Sequence, residues 1–399
     1  MKVLIVNKFL YPKGGAETYT FDVGKMLEEH GHEVQYFGLK NEKNIVGNRV
    51  NSYVTDIDFS KGVKANLNAP FRIIYSAEAR KKIRAVLEDF RPNVVHLNNI
   101  QYHLTPSIIL EINKWRTQNK KVCRIVYTAH DYQLVCPSHG MFDVDMKPCE
   151  KCLDGHYFHC FTTKCLKNSR AKSLLGTLDG YLWKYSKAYT YVDAYICCSF
   201  FLKSKLDTQK RFRGRTIGLH NFKKEMPHLE NIRKKGYVLE FGHLSRDKGT
   251  DVLLEVAKEM PDTEFVFIGY GPSVDKMKDI PNVKYLGFKT GEELYRIIAE
   301  AAISVCPSEW YENCPYSVME SVLLGTPVIG SEMGGIPELI EPGKTGELFK
   351  AGSVDELRAA IKHILFSPNT LASYTENCKQ VKYETTETYY KKLMKIYSG

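Results

Sequence analysis

The chain contains no run of 18 apolar residues anywhere in its 399. A membrane-crossing helix needs about 20, so no helical span is expected. A basic stretch followed by an apolar leader is also missing. Residues 3–6 already read as a strand, so export is not expected and a cytoplasmic location is. Low-complexity segments and internal repeats at solenoid periods are absent too, which argues against a repeat array. The second half lacks a charge surplus. Residues 196–399 carry 28 Lys+Arg against 27 Asp+Glu, a net of +1, so the total of +10 comes almost wholly from residues 1–195, with 28 against 19. A basic first half suits an anionic partner such as a membrane surface or lipid phosphate. Ordinary solubilising charge explains it equally well. No nucleic-acid-binding motif accompanies the charge, so nucleic acid is not an expected partner.

What is present is the composition of a soluble globular protein, 43% hydrophobic and 26% charged, in a chain long enough for two domains. Apolar runs at 3–6, 33–37, 94–97 and 123–128 alternate with helical periodicity at 16–30, 80–90 and 106–115. The second half repeats the pattern, with strands at 237–241, 265–268, 283–286, 303–306 and 328–329. Its helices fall near 251–259, 292–301, 316–324 and 354–366. Such alternation predicts parallel, doubly wound α/β sheets. The stretch 41–68 shows no period. Residues 203–224, short and basic with Gly214 and Gly218, read as the linker.

The most specific segment is 307–331, PSEWYENCPYSVMESVLLGTPVIGS. Pro315 suits a first helical position, where its missing N–H is harmless, and Gly325 reads as a helix stop. Glu312 therefore falls in the loop before a helix and Glu320 inside it, seven residues on. Tyr316, Val318, Met319, Val322, Leu323 and Leu324 surround Glu320, and a carboxylate among them needs a partner. One reading is a polar ligand across the helix N-terminus, with phosphates on free N–H groups. The other is a solvated surface glutamate. Residues 241–249, FGHLSRDKG, follow the first strand of the second half, where ligands bind in such sheets. Lys248 there is a point charge suited to a diphosphate, or else a surface lysine. His243 is a phosphate contact or a packing histidine. In the first half Gly14-Gly15 follows the first strand and allows close backbone approach, unless it is a plain loop. His130 ends another strand at the same sheet edge.

This pattern resembles the E-x7-E element of the retaining GT-B glycosyltransferases of family 4, the group 1 glycosyltransferases. Residues 308–313, 325–329 and 334–338 match that family in order and spacing. The resemblance implies two Rossmann-like doubly wound domains facing each other across a cleft. Residues 1–205 would bind the acceptor and 215–384 the nucleotide-sugar, with a Cys-rich insertion at 136–165 and a last helix near 385–399 returning to the first domain. It implies transfer of a sugar from a UDP- or GDP-sugar to a hydroxyl of a glycan or lipid-linked acceptor in bacterial surface polysaccharide biosynthesis. Glu312 would touch the donor sugar and Glu320 hold the ribose diol. Asn313 and Cys314 would cup the phosphates with backbone. Gly14, Gly15, His243, Arg246 and Lys248 would complete the donor site, and His130 would lie near the reacting centre. His243 stands where the family usually has arginine, so Arg246 is an alternative second cation. Catalysis would need no metal or cofactor. The rival readings are a UDP-sugar epimerase on the same fold and a non-catalytic, zinc-stabilised binding protein.

Two further segments stand apart from that resemblance. Cys136, Cys149, Cys152, Cys160 and Cys165 fall within thirty residues, beside His139, His156 and His159. Cys149 and Cys152 have metal-ligand spacing. Without export, disulfides are disfavoured. The alternatives are a structural zinc on Cys149, Cys152, Cys160 and Cys165 or a set of reduced thiols. Lys164, Lys167, Arg170, Lys172, Lys184 and Lys187 interleave with Leu174, Leu175, Leu178, Tyr181, Leu182 and Trp183. That suits a segment lying peripherally on an anionic membrane face, or a helix whose apolar side enters the core.

Overall fold

The apolar runs of the first half pair side by side in the computed structural model, which describes residues 1–56, 69–224 and 226–399. The strands β1 (Lys2–Val6), β2 (Glu33–Phe37), β3 (Val94–Leu97), β4 (Arg124–Ala129), β5 (Ala194–Cys197) and β6 (Thr216–Gly218) form one parallel sheet in the order 2-1-3-4-5-6. Every residue of β3 and β5 is buried. Strands covered on both faces read as continuous apolar runs and not as alternation. The exception is His96, whose ring nitrogens meet Thr128 Oγ1 and Tyr397 Oη, each at 2.7 Å. The helices of this unit are α1 (Gly15–Glu29), α2 (Ala69–Ile74), α3 (Ala77–Phe90), α4 (Ser107–Gln118), α5 (Phe158–Thr162), α6 (Arg170–Tyr185) and α7 (Phe200–Leu206). Of the aperiodic stretch 41–68, residues 57–68 lie outside the described residues.

The second unit holds β7 (Val238–His243), β8 (Phe265–Tyr270), β9 (Val283–Tyr285), β10 (Ile303–Cys306), β11 (Val328–Ser331) and β12 (Gly346–Phe349), parallel in the order 12-11-10-7-8-9. Its helices are α8 (Thr250–Glu259), α9 (Gly291–Glu300), α10 (Tyr316–Leu323), α11 (Val354–Leu365) and α12 (Pro368–Cys378). Phe265, Phe267, Leu253, Ile303 and Ile361 lie in its main core. The last helix, α13 (Thr386–Ser398), belongs to the first unit, which comprises residues 1–144, 149–221 and 387–399. The second comprises 222–386 with 145–148. Tyr389 Oη lies 2.7 Å from Tyr19 Oη, and Tyr397 Oη reaches His96, so buried hydrogen bonds fix α13 to α1 and to β3.

The linker expected at 203–224 is not one. Residues 200–206 are α7, and Thr216–Gly218 pairs with β5 as the sheet's edge strand. The chain leaves the first unit at Asn221, past the expected limits of 205 and 215. The basic residues that suggested a solvated linker are in use. Lys203 pairs with Asp207 at 2.6 Å, and Arg215 Nη1 donates to the carbonyl of Val192 at 2.7 Å.

In each sheet the strand order reverses beside the unit's first strand. β1 lies between β2 and β3, and β7 between β10 and β8. Loops leaving the carboxyl ends of strands at such a switch point diverge and leave a crevice for ligands. In the second unit those loops follow β7 and β10.

Candidate active site

The loop after β7 turns through the 3-10 segment Arg246–Lys248 and enters α8 at Gly249. Gly249 has φ +78°, and a Cβ there would sit 1.9 Å from the carbonyl oxygen of Pro307. No other residue lets this loop touch the one after β10. Further bonds join the two. Glu309 N donates to Asp247 O at 3.0 Å, and Ser308 Oγ donates to the same carbonyl at 3.3 Å. The contact sets Lys248 Nζ on Glu312 Oε1 and 4.6 Å from the centre of the Trp310 ring. Burial by itself would depress the Lys248 ammonium. The Glu312 carboxylate, helped by Asp247, more than reverses this and holds its pKa above the usual lysine value. Lys248 is thus a fixed cation at the switch point.

Glu312 is itself held from behind. Gly334, at φ +62°, would place a Cβ 2.0 Å from the Glu312 carbonyl oxygen, and Gly335 N donates to that oxygen at 2.7 Å. The sequence match included 334–338, but the task of Gly334 as a prop for the Glu312 loop emerges only here. Helix α10 starts after Pro315 as expected and stops at Gly325, whose N–H reaches Val322 O while Thr326 N reaches Ser321 O. Glu320 has the partner its apolar surroundings demanded. Lys223 Nζ lies 2.5 Å from Glu320 Oε1, with both side chains mostly buried. Lys223 was missed because it lies within the supposed linker. The signal that could have found it was the carboxylate's need for a cation. Asn313 and Cys314 are buried, and the Cys314 thiol rests 3.8 Å from Met319 Sδ. His243 and Arg246 are both exposed. The His243 ring lies edge-on to Tyr270 at 5.3 Å, and Arg246 makes no ion pair among the described residues.

Beneath the two loops, Glu240 on β7 is fully enclosed. It accepts from Thr250 Oγ1 at 2.7 Å through Oε1, while Oε2 has no partner. Burial pushes its carboxyl up to about 8. The unfolded chain gives up this proton near 4.5 and the folded one near 8, so folding stability should fall as pH rises through that window. Glu240→Gln, which stays neutral, should remove that slope. Denaturant titrations of both proteins at pH 5 and pH 8.5 test it, and an equal loss in both would remove Glu240 as the cause.

In the first unit, Gly14 precedes α1 in an extended conformation and Gly15 opens the helix. A Cβ on Gly14 would meet only Glu17 Oε2, at 3.7 Å, so the fold has no need of glycine there. His130 follows β4. Its Nε2 lies 2.9 Å from Asn98 Oδ1 and its ring is edge-on to Tyr19 at 4.9 Å. With the Asn98 carbonyl accepting, Nε2 carries the ring proton. Burial lowers the pKa to about 3, so the imidazole is neutral at pH 7 and acts as a hydrogen-bonding group, not a cation. Asn98, Tyr19 and His96 were not foreseen as its setting. Cys149, Cys152, Cys160 and Cys165 line one small cavity together with Cys136 and His159. Among the described residues no three His, Cys, Asp or Glu side chains stand at metal-ligand distance as placed.

Known proteins resemble this chain in sequence and in fold. Residues 221–381 match the model of glycosyl transferases group 1, and residues 13–221 that of Glycosyltransferase Family 4. An uncharacterised 42.6 kDa protein in the cps region of Klebsiella pneumoniae is 23% identical over 363 residues, covering 85% of this chain and 87% of that one. The amylovoran biosynthesis glycosyltransferase AmsK of Erwinia amylovora is 34% identical over 140 residues, 31% of this chain and 34% of that one. The fold matches Anabaena HepE in complex with UDP-glucose, with TM-score 0.66, 16% identity, and coverage of 100% and 99%. It also matches a sucrose-phosphate synthase from Thermosynechococcus elongatus, with TM-score 0.71, 16% identity, and coverage of 100% and 98%. Two parallel Rossmann-like sheets, the paired glutamates at one switch point and both family matches lead to one conclusion: the chain is a GT-B glycosyltransferase belonging to family 4, the group 1 glycosyltransferases.

Proposed function

We propose that this enzyme transfers a sugar, with retention of anomeric configuration, from a nucleoside-diphosphate sugar to a hydroxyl of a growing or lipid-linked glycan in bacterial surface polysaccharide assembly. The observation that carries the reading is Lys248 against Glu312 at the second unit's switch point, with Glu320 one helix turn further in. In the reaction the bond from the anomeric carbon to the diphosphate breaks and the acceptor oxygen takes its place on the same face. The acceptor's proton leaves with the diphosphate. Lys248 is already charged and held in place, so it needs no reorganisation to meet the developing negative charge. Glu320 uses one oxygen for Lys223 and retains acceptor capacity for a ribose diol. His130 and Glu312 address the sugar, and Gly14-Gly15 gives a ligand close access to backbone. The structures of HepE with UDP and with UDP-glucose favour a UDP-sugar over a GDP-sugar. The cps-region and amylovoran relatives favour a polysaccharide acceptor. A thermal-shift panel of UDP- and GDP-sugars tests the donor. A matching ligand at about a hundred times its Kd adds about 2.7 kcal/mol. No shift with any nucleotide-sugar would refute the reading, and donor converted to an epimer without acceptor would replace transfer with epimerisation.

The acceptor reading goes with a membrane-facing surface. Helix α6 was expected either to turn its apolar side into the core or to lie on an anionic interface. The structure buries Trp183 with Ser173, Gly176 and Thr177, and leaves Leu174, Leu178 and Leu182, at successive four-residue steps, 43%, 50% and 41% exposed. Phe158 and Tyr185 extend this strip, and the exposed Lys167, Arg170, Lys172 and Lys187 border it. An apolar stripe rimmed by cations fits an anionic bilayer. Sedimentation with phosphatidylglycerol-containing vesicles should capture the enzyme, and neutral vesicles should not. Leu178→Glu should weaken capture about tenfold while leaving the fold intact, since the side chain touches solvent. Equal capture by both vesicle types would overturn the assignment.

A further inference from the structure

Between Ala129 at the end of β4 and Phe158 at the start of α5 the chain forms neither strand nor helix. Loops of that length without structure are uncommon inside a domain. This one is also held in costly backbone. His139, Met141 and Met146 have φ of +69°, +53° and +65°, and Lys164, Lys167 and Asn168 just beyond α5 are likewise left-handed. Non-glycine residues persist there only when their surroundings force them to. Tyr132, Leu134, Val135 and Met141 of this segment are buried. The cluster inside the segment consists of Cys152, Cys160 and Tyr157, with Cys165, Leu166 and Tyr181 packed against it. An irregular segment with this much left-handed backbone needs surroundings that hold it, and a covalent or metal staple is one such hold.

The thiols are where such a staple would be. Cys136, Cys149, Cys152, Cys160 and Cys165 come from separate turns yet line one cavity of about 10 Å³, room for a single ion and not for an organic ligand. The remaining six cysteines lie elsewhere in the chain, and none of the eleven is in a disulfide. Both pairs sit in tight turns. Gly155 N bonds Cys152 O at 2.9 Å beside the first pair, and Cys165 N bonds Cys160 O at 3.3 Å within the second. Cys149-x2-Cys152 and Cys160-x4-Cys165 are spacings that structural four-cysteine sites use. Cys136 is engaged otherwise, with its Sγ 3.2 Å from Ser138 Oγ.

We propose that Cys149, Cys152, Cys160 and Cys165 bind one structural zinc ion that pins the segment following His130. Binding converts four thiols to thiolates, releases four protons, and leaves a site of net charge −2. Lys147, Lys151, Lys164 and Lys167 flank the ligands in sequence and offset that charge. The sulfurs of Cys160 and Cys165 now lie 2.9 Å apart. Tetrahedral zinc with bonds of about 2.3 Å separates its sulfurs by about 3.8 Å. The pair must therefore open by about 0.9 Å on binding, and the ligands must close in, since no three described His, Cys, Asp or Glu side chains stand at metal-ligand distance as placed. The ion takes no part in sugar transfer. It fixes the loop in which Tyr132 N bonds His139 O at 3.2 Å, two residues past His130.

The test is metal analysis of the full chain purified without a metal-affinity tag. About one zinc per chain is expected. Cys160→Ser should lose it, and Cys136→Ser should keep it. Should Cys160→Ser fail to fold, mercurial titration of the unmodified enzyme decides, because zinc should be released as about four thiols react. Zinc below about a tenth per chain overturns the proposal. So does full zinc in a folded Cys160→Ser protein, or an intact mass showing a Cys160–Cys165 disulfide.

Discussion

Glu312→Ala should cut turnover with the full donor by about a hundredfold or more while leaving the affinity for UDP unchanged or slightly raised. The asymmetry follows from what surrounds the residue. The backbone of Glu312 is held by Gly335 N and packed against Gly334, so removing the side chain leaves the loop in place. What is lost is the carboxylate that would position the sugar, and small losses of alignment at a reacting centre cost orders of magnitude. The nucleotide does not depend on it. Lys248 loses the carboxylate that holds its pKa up, and the bound diphosphate supplies an anion in its place. Calorimetry with UDP, beside kcat/KM for the UDP-sugar, separates the two effects. If Glu312→Ala weakens UDP as much as Glu320→Ala does, the sugar-positioning role is wrong.

Glu320→Ala should do the opposite, weakening UDP and UDP-sugar alike by about tenfold to a hundredfold. A hydrogen bond to a charged group contributes about 1.5–3 kcal/mol, and the ribose diol is common to both ligands. The structure adds a control. Lys223 engages Glu320 and lies over the Tyr316 ring at 5.2 Å. Its removal leaves the carboxylate with its full acceptor capacity. Lys223→Met should therefore change UDP affinity by no more than a few-fold. A loss equal to that of Glu320→Ala would assign the nucleotide contact to the lysine.

Much of the fold could be read from periodicity. The runs at 33–37, 94–97 and 303–306 became strands with those bounds, and Gly325 ended α10. The elements missed were short or mixed. β6 is a three-residue edge strand without a buried residue, and α7 carries two lysines in seven residues. Their identity comes from what they pair with, Thr216 with Tyr195 and Lys203 with Asp207, not from any pattern of their own. Helix α6 had two readings in sequence, a core face or a membrane-facing one. Ser173, Gly176, Thr177 and Trp183 are its buried residues, and Leu174, Leu178 and Leu182 stay exposed.

The sequence by itself determined the strongly periodic elements, their α/β alternation and the spacing from Glu312 to Glu320, because these depend on residues close along the chain. Tertiary structure decided the rest. It joined Lys248 to Glu312 across 64 positions, and Lys223 to Glu320 across 97. It set Gly334 behind Glu312 and gathered five thiols around one cavity. Charge pairing and steric fit act through space, and which loops meet is fixed by strand order, a property that no local stretch of sequence carries.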